Sequence, residues 1–509
     1  MKMKICLGVL VAAIPIALLA WSITSIGKEV YNPLDQSSIK FDYLQHSPLN
    51  GKESTGGISL IDVDHDNDLD VYVSNGYDVS SSPPVPQKNR LYLNDGKGVF
   101  ALNEESILSN DVFFSSGSTW GDFNNDGLID VFIANQQSQN NALFVNKGEG
   151  EFKMVAHSIV SNDAGYSYSA NWSDIDNDGD LDLYVANGGI SNQEPDFLYR
   201  NDGNEKFSKV ANTPITKDTA STIGGLWRDF NGDNLPDLYA SYRLQKDRIY
   251  FNKGEWEFDV YMLETPQAER FSFPKSTGTV GDIDNDGDLD IYQTSLMGGA
   301  NFLYVNNGNG NFEFVEKDGL TSVGGHTYGT LMDDFDNDGD QDIAIANWGS
   351  GVQLFKNKGA EFELLVNTAF HNRIFFASTI TSGDFNNDGK PDIIIPQWPN
   401  SRGDFEKNEV YINTYEKPGN WIKIKLEGRE SNRSAIGAKI SAKCTENGQL
   451  KTNSKGVYSQ ITWRSQADLV QIIGLGNCSQ VDEITVNWPS GKVTIMQDIT
   501  INEFLEIKE

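Results

Sequence analysis

From Asp62 to Asp392 the chain repeats one cadence of hydrophobic and polar positions. A short run of small residues comes first, as in Ser118-Thr-Trp-Gly121 and Ser276-Thr-Gly-Thr-Val-Gly281. An acidic nine-residue stretch follows, and then an apolar run: Val71-Tyr-Val, Val131-Phe-Ile, Leu183-Tyr-Val, Leu238-Tyr-Ala, Ile291-Tyr, Ile343-Ala-Ile or Ile393-Ile-Ile. After a polar turn of variable length comes a second apolar run that ends in Asn-x-Gly, as at Leu91 to Gly96, Leu143 to Gly148 and Leu303 to Gly308. A last run starts near Phe100, Phe152, Phe207, Phe258, Phe312 and Phe362. Short β-branched and aromatic runs between turn signals predict strands, four to a unit. No segment of the array has a helical period.

The acidic stretches start at Asp62, Asp122, Asp174, Asp229, Asp282, Asp334 and Asp384, at spacings of 60, 52, 55, 53, 52 and 50 residues. Seven four-stranded units of this length predict a seven-bladed β-propeller. The segment Ile39-Lys-Phe-Asp-Tyr43 reads as a strand without a blade of its own, and the seventh unit changes character after Val410-Tyr-Ile-Asn413. The N-terminal strand is therefore expected to complete blade seven, which removes an open sheet edge.

The acidic stretch carries the candidate chemistry. Its positions 1, 3, 5 and 9 are Asp62, Asp64, Asp66 and Asp70 in the first copy, then Asp122, Asn124, Asp126 and Asp130. The third and fourth copies give Asp174, Asp176, Asp178, Asp182 and Asp229, Asn231, Asp233, Asp237. The last three give Asp282, Asp284, Asp286, Asp290; Asp334, Asp336, Asp338, Asp342; and Asp384, Asn386, Asp388, Asp392. Four oxygen side chains within nine residues suit a hard cation, and calcium takes six to eight oxygens at about 2.3–2.6 Å. About seven calcium ions are expected, one per blade. Position 6 is Gly in five copies and Asn67 or Asn234 in two, which fits a left-handed backbone there. An EF-hand is excluded, because position 12 of the first copy is Val73 where a bidentate Glu is required.

The net charge of −32 argues against nucleic acid as a partner. Much of it is local, since 25 of the 28 ligand positions are aspartate. At the N-terminus, Lys2 and Lys4 precede an apolar run from Ile5 to Ile23, so residues 1–27 read as a signal peptide or N-terminal membrane anchor. The protein is expected to be secreted, extracellular or periplasmic, with a membrane as partner only through that segment if it is uncleaved. Cys6 lies in the segment, which leaves Cys444 and Cys478. The two are candidates for pairing in an oxidising compartment, and spacing alone does not decide it.

These repeats resemble FG-GAP/VCBS repeats, the blade type of integrin α-chain propellers, in which calcium sits in an Asp-x-Asp-x-Asp-Gly-x-x-Asp loop. From about Gly419 the chain resembles the ASPIC/UnbV domain, on Trp421 to Leu426, Asn432-Arg-Ser-Ala-Ile-Gly437, Gly474-Leu-Gly476, Val481 to Val486 and Trp488-Pro-Ser-Gly-Lys492. The pair of domains is similar to the cartilage acidic protein family. The resemblance implies secretion, calcium binding and adhesion or matrix roles, and no defined enzymatic activity. The expected division is 1–27 export segment, 28–415 propeller and 416–509 a β-sandwich-like domain. In the last, strands are expected at 421–426, 438–442, 470–473, 484–488 and 493–496, the final two joined at Pro489-Ser-Gly491. Asn67 and Asn234 depart from the loop pattern, and weaker sites are expected in blades one and four.

Other residues give less. Trp120, Trp172 and Trp227 sit two residues before the acidic loop, where Leu60, Val280, Met332 and Ser382 stand elsewhere, and read as packing. Asn75, Asn135, Asn187 and Asn347 read as turn residues. Trp348 and Trp398 suit either sugar stacking or capping of a blade. Arg402-Gly-Asp404 can be an integrin ligand on an exposed turn, but a tripeptide is short enough to arise by chance. His46, His65, His157, His326 and His371 share no motif, and no nucleophile elbow or phosphate loop is present. The reading is an exported, calcium-stabilised protein that binds an extracellular glycan or protein. The alternative is an extracellular lyase or hydrolase acting in the propeller's axial pocket.

Overall fold

A computed structural model describes residues 39–78, 83–188, 193–264, 274–321 and 325–509. The hydrophobic segment 1–27 lies outside the described residues. Residues 37–509 form one compact unit. Its first sheet orders Thr55–Ile61, Asp70–Asn75, Arg90–Asn94 and Phe100–Leu102 as four antiparallel neighbours. Six further sheets repeat the plan, with innermost strands Ser115–Gly121, Ser167–Ser173, Thr222–Arg228, Thr279–Gly281, Thr327–Asp333 and Thr381–Gly383. Phe41–Tyr43 pairs with Glu409–Asn413 at the outer edge of the seventh sheet, Phe41 opposite Asn413, as the sequence led us to expect.

Alternation explains how the blades stack. Along Asp70–Asn75, Val71 and Val73 point to one side, into a cluster with Leu60, Phe385 and Ile394 of the seventh blade. Tyr72 points to the other side, against Trp120 and Val131 of the second blade. Both faces of each blade are thus buried between neighbours, which is why these strands read as nearly unbroken apolar runs. The cluster shared by blades one and seven completes the circuit.

The last part of the chain forms two sheets. One orders Gln471–Gly476, Asn420–Glu427 and Glu503–Lys508, and the other Gln449–Gly456, Lys439–Glu446, Val481–Asn487 and Val493–Ile499. The hairpin at Pro489 to Gly491 is present, with Gly491 at φ +85°. Cys444 and Cys478 are bridged, with Cα atoms 6.1 Å apart, and both are buried. The hydrophobic core of this sandwich does not end at its own boundary. It runs on into Phe123, Phe132 and Trp172 of blades two and three.

The sandwich also enters the propeller. Its segment Val457–Gln466 runs down the central channel and touches the inner strands on every side. Ser459 Oγ donates to the Trp172 carbonyl at 2.7 Å, and the Gln460 carbonyl accepts from Arg228 at 2.8 Å. Thr279 donates to Ile461 and Thr379 to Trp463. Tyr328 stacks on Trp463 at 5.5 Å. The Gln466 side chain spans the Trp120 backbone, accepting at 2.8 Å and donating at 3.1 Å, while its backbone exchanges hydrogen bonds with Ile58 and Leu60. All seven blades therefore contact this plug. The small residues ahead of each acidic loop give it room: a Cβ at Gly57 would lie 2.2 Å from the Arg464 carbonyl oxygen. The axial pocket that an enzymatic reading requires is filled by the protein's own chain.

Candidate metal centre

Each acidic loop joins the innermost strand of a blade to its second strand. All seven have one backbone conformation. Position 4 is left-handed, as at His65 (φ 65°), Asn125 (57°), Asn177 (56°) and Asn285 (60°). Position 6 is left-handed too, from Gly339 at 99° to Asn67 and Asn234, both at 66°. The two asparagines thus follow the same path as the glycines. Position 1 accepts from the position 6 N–H, as Gly179 N to Asp174 Oδ2 at 3.1 Å and Asn67 N to Asp62 Oδ2 at 3.2 Å. Position 5 accepts from position 7, as Asp180 N to Asp178 at 3.0 Å. These bonds turn the side-chain oxygens inward.

In four loops three carboxylates meet, with ligand atoms all within 4.8 Å: Asp62, Asp64 and Asp66; Asp174, Asp176 and Asp182; Asp282, Asp284 and Asp290; Asp334, Asp336 and Asp342. The other three loops are those with an amide at position 3, Asn124, Asn231 and Asn386. Oδ1 of Asp62, Asp64, Asp174, Asp176 and Asp336 is buried without a hydrogen-bond partner. Buried carboxylate oxygens without donors are expensive. Several of these clusters can hold a metal ion, and the donor set is all oxygen, as a hard divalent cation requires. Burial pushes the Asp174 carboxyl up to about 7, with Asp178 and Asp176 adding repulsion. Burial likewise raises Asp122 and Asp282 to about 6, and Asp70, Asp130, Asp237 and Asp290 to about 8.

Position 9 does more than present an oxygen. Asp182 accepts from Ile175 N of its own loop at 2.9 Å and from Asn201 N at the end of the third strand at 2.8 Å. Asp70, Asp237, Asp290, Asp342 and Asp392 repeat both bonds. The asparagine that ends the third strand then reaches across the blade interface. Asn201 Nδ2 donates to the carbonyl of Phe123, position 2 of the preceding blade's loop, at 2.7 Å. Asn146 does the same to Val63, Asn252 to Ile175, Asn306 to Phe230, Asn357 to Ile283 and Asn413 to Phe335. Asn94 reaches Phe385 of blade seven, so the clamp runs round the whole ring. The sequence pattern marked Asn94, Asn146 and Asn306 only as the start of an Asn-x-Gly turn, with no role across the blade interface. Their recurrence once per blade was the available signal.

The sandwich lies against the loops. On Asn420–Glu427, Ile422 and Ile424 are in the core, while Lys423 and Lys425 point to the propeller. Lys423 Nζ lies 3.2 Å from Asp384 and 2.8 Å from Asn387 Oδ1, and Lys425 Nζ 3.3 Å from Asp62 and 2.8 Å from Asn67 Oδ1. In loop six, Lys356 pairs with Asp336 and Asp338. Among the described residues, no lysine or arginine forms an ion pair with the ligand positions of loops three and five.

The remaining candidates fall as follows. Trp120, Trp172 and Trp227 are buried between blades, as the packing reading expects. Asn75, Asn135, Asn187 and Asn347 are buried staples. Each Oδ1 accepts a hydroxyl from the inner strand, as Thr327 to Asn347 at 2.8 Å. Trp348 packs edge-on against Phe376, and Trp398 edge-on against Tyr328 and Trp463 at the plug, which supports the capping role. Arg402 and Asp404 are exposed on a tight turn held by Asn400 Oδ1, which accepts from both backbone N–H groups. The five histidines stay apart from the carboxylate clusters except His65, which lies within loop one.

Residues 62–133, 122–185, 174–240, 229–293 and 334–395 match the FG-GAP-like repeat, more than half of the chain. The chain belongs to the FG-GAP-like repeat family. Residues 428–509 of this FG-GAP-like chain match the ASPIC and UnbV domain. It is similar to cartilage acidic protein 1 of Xenopus tropicalis, 26% identical over an alignment 279 residues long that covers 48% of this chain and 42% of the relative. The mouse protein of that name is 23% identical over 280 residues, 50% of this chain and 43% of the relative. The matched stretch thus spans less than half the length of either relative. Among solved structures, an Agrocybe aegerita lectin that recognises non-reducing terminal N-acetylglucosamine aligns with a TM-score of 0.44 at 17% identity, covering 65% of this chain and 89% of the lectin. The V. cholerae biofilm matrix protein aligns with a TM-score of 0.37 at 12% identity, covering 90% and 76%. Among the described residues no helix is long and apolar enough to cross a membrane.

Proposed function

We propose that this chain is an exported, calcium-stabilised propeller that binds an extracellular glycan or protein, with 1–27 the export segment, 28–415 the propeller and 416–509 the sandwich. The observation that carries the reading is the seven-times-repeated acidic loop, which in copies one, three and six holds buried carboxylate oxygens without protein donors and whose ends are clamped to the neighbouring blade. Calcium would be held at positions 1, 3, 5 and 9 of each loop, one ion per blade, and would neutralise the crowding that raises the carboxyl pKa values. Loops three and five should bind most tightly, because each brings three carboxylates together and none of the three is held in an ion pair among the described residues. Blades one and four remain the expected weak sites, through Asn67 and Asn234 at position 6 and Asn231 in the fourth, and Lys425 on Asp62 and Lys423 on Asp384 compete in loops one and seven.

Metal analysis of protein purified in calcium should find close to seven ions per chain; two or fewer would overturn the assignment. Extracellular calcium modules bind at about 0.1–1 mM. At tenfold saturation each site would add roughly 1.4 kcal/mol, so seven would add roughly 10 kcal/mol. Excess chelator should therefore lower the melting temperature steeply, and an unchanged transition would refute structural calcium. For recognition, a glycan array probed with calcium-loaded protein tests the glycan partner.

A further inference from the structure

The acidic loops are tied to one another. Position 4 lies between two ligand positions and is left-handed, a backbone conformation that asparagine tolerates better than most side chains. Five of the seven copies place asparagine there, Asn125, Asn177, Asn285, Asn337 and Asn387, at φ of 56–60°. Each donates its amide to the next loop round the ring. Asn125 Nδ2 reaches the Asp180 carboxylate at 2.7 Å and the Gly179 carbonyl at 3.2 Å. Asn177 reaches the Asn234 carbonyl at 3.0 Å, Asn285 the Asp340 carboxylate at 2.6 Å and Asn337 the Gly389 carbonyl at 2.9 Å. Asn387 closes onto the Asp68 carboxylate of loop one at 2.9 Å. The acceptor is position 6 or position 7 every time. Loops one and four break the pattern, with His65 and Gly232 at position 4, and these are the two copies with asparagine at position 6. Among the described residues no side chain of loop one hydrogen-bonds loop two, and none of loop four hydrogen-bonds loop five. Cavities lie under the sandwich at both breaks, about 310 Å³ along loops one and two and about 330 Å³ along loops three, four and five. At the first break the sandwich bridges the gap: Lys425 Nζ holds Asn67 at 2.8 Å, and Ser434 Oγ accepts from Asp122 N at 2.8 Å. At the second, Lys439 reaches the Gly287 carbonyl of loop five at 2.8 Å, and no sandwich side chain hydrogen-bonds loop four among the described residues.

An ion held by positions 3 and 5 fixes the asparagine between them. A fixed donor holds the position 6 and 7 turn of the next loop, so that loop has less freedom left to lose when its own ion arrives. The help is returned in equal measure, because a coupling free energy is reciprocal. We infer that the position 4 asparagines couple the calcium loops into two cooperative runs, two-three-four and five-six-seven-one, and leave loops four and five uncoupled. Calcium is then taken up by runs of blades instead of by seven separate sites.

The inference rests on the calcium reading above, and one measurement separates the two. Amide hydrogen exchange of the full chain is followed by mass spectrometry, loop by loop, against free calcium. Asp286→Ala removes an exposed ligand from loop five, which has one bonded neighbour, loop six, and one unbonded, loop four. The calcium midpoint of loop six should rise about two- to tenfold, the net worth of one hydrogen bond, while that of loop four should stay within about 1.5-fold. Asp233→Ala in loop four is the mirror case: loop three should weaken and loop five should not. Asn285→Ala keeps every ligand, and the residue is exposed, so the fold and the ion count at saturation should be unchanged while loop six weakens by the same factor. If calcium slows exchange in none of the loops, the metal reading fails and the coupling goes with it. If the loops respond to calcium but Asp286→Ala shifts loops four and six alike, the metal reading stands and the coupling is overturned. It is overturned too if Asp286→Ala shifts loop six and Asn285→Ala does not, because the effect then travels by charge and not through the asparagine.

Discussion

Asn201→Ala tests whether the clamp asparagines hold the ring together. Asn201 is 1% exposed, and its side chain makes three hydrogen bonds: to the Phe123 carbonyl at 2.7 Å, to the Leu181 carbonyl at 3.1 Å, and from Gly203 N at 3.0 Å. Each bond is worth about 1 kcal/mol net, and stranding the buried Phe123 carbonyl adds about 1–3 kcal/mol. The expected loss is therefore about 4–6 kcal/mol, a large share of the roughly 5–15 kcal/mol typical of a domain. Urea unfolding in saturating calcium, with midpoints compared at a common slope, measures it. Asn201→Asp keeps the shape but sets an acceptor against two carbonyls, so it should cost at least as much as alanine. Asn311→Ala is the control. That residue is exposed, and its side chain donates to the Gly308 carbonyl at 3.1 Å, so its loss should stay under about 1 kcal/mol. An Asn201→Ala loss as small as the control, or an Asn201→Asp variant as stable as the parent, would refute the clamp.

Three further outcomes are expected. In chelator, stability should fall as the pH rises from about 5 to about 8. The loop carboxyls stand higher in the folded chain (about 7 for Asp174, about 8 for Asp290) than when unfolded, so the folded state holds protons that it loses over that range; calcium should remove this slope, and a chelated protein that grows more stable with pH would contradict it. Gln466→Ala should cost about 2–4 kcal/mol, because it strands the N–H and carbonyl of Trp120 in the packed channel, and a melting temperature within error of the parent would deny the plug a structural role. Thiol titration of denatured, unreduced protein should find neither Cys444 nor Cys478 free, and Cys478→Ser should cost about 3–4 kcal/mol through a loop closed over 34 residues; two free thiols would refute the bridge.

Local order was legible in the sequence. The acidic loop and the apolar strand behind it recur in one fixed register, and the Phe that opens the outer strand follows each of the first six loop starts by 28 to 38 residues, so both the period and the blade could be read from them. The seventh blade's borrowed strand was legible for the same reason, since Phe41 lacks a loop of its own. In the sandwich, Gln449–Gly456 and Glu503–Lys508 escaped notice. The first is Gln-Leu-Lys-Thr-Asn-Ser-Lys-Gly, mostly polar, and is a strand only because Lys439–Glu446 pairs with it along its whole length. The plug left still less trace. Its contacts join Gln466 to Trp120 and Ser459 to Trp172, pairs separated by 346 and 287 residues, and no local pattern encodes such a distance. Its one imprint lies in the partners, as glycines such as Gly57 where a side chain would collide.

The plug has a consequence for how the chain reaches its final form. Phe41–Tyr43 must wait for Glu409–Asn413, and the channel filler at residues 457–466 is made later still. While the C-terminus is unmade or still in transit, the blades can form only as an open and hollow arc. Contacts of such long range make a fold slow to reach. Those formed after the rate-limiting step slow its loss instead. Once Gln466 has bridged Trp120, no blade can swing out without first withdrawing a segment that touches all seven. The finished protein should thus outlast its equilibrium stability, and its lifetime should be set by the rate at which the stopper leaves the ring.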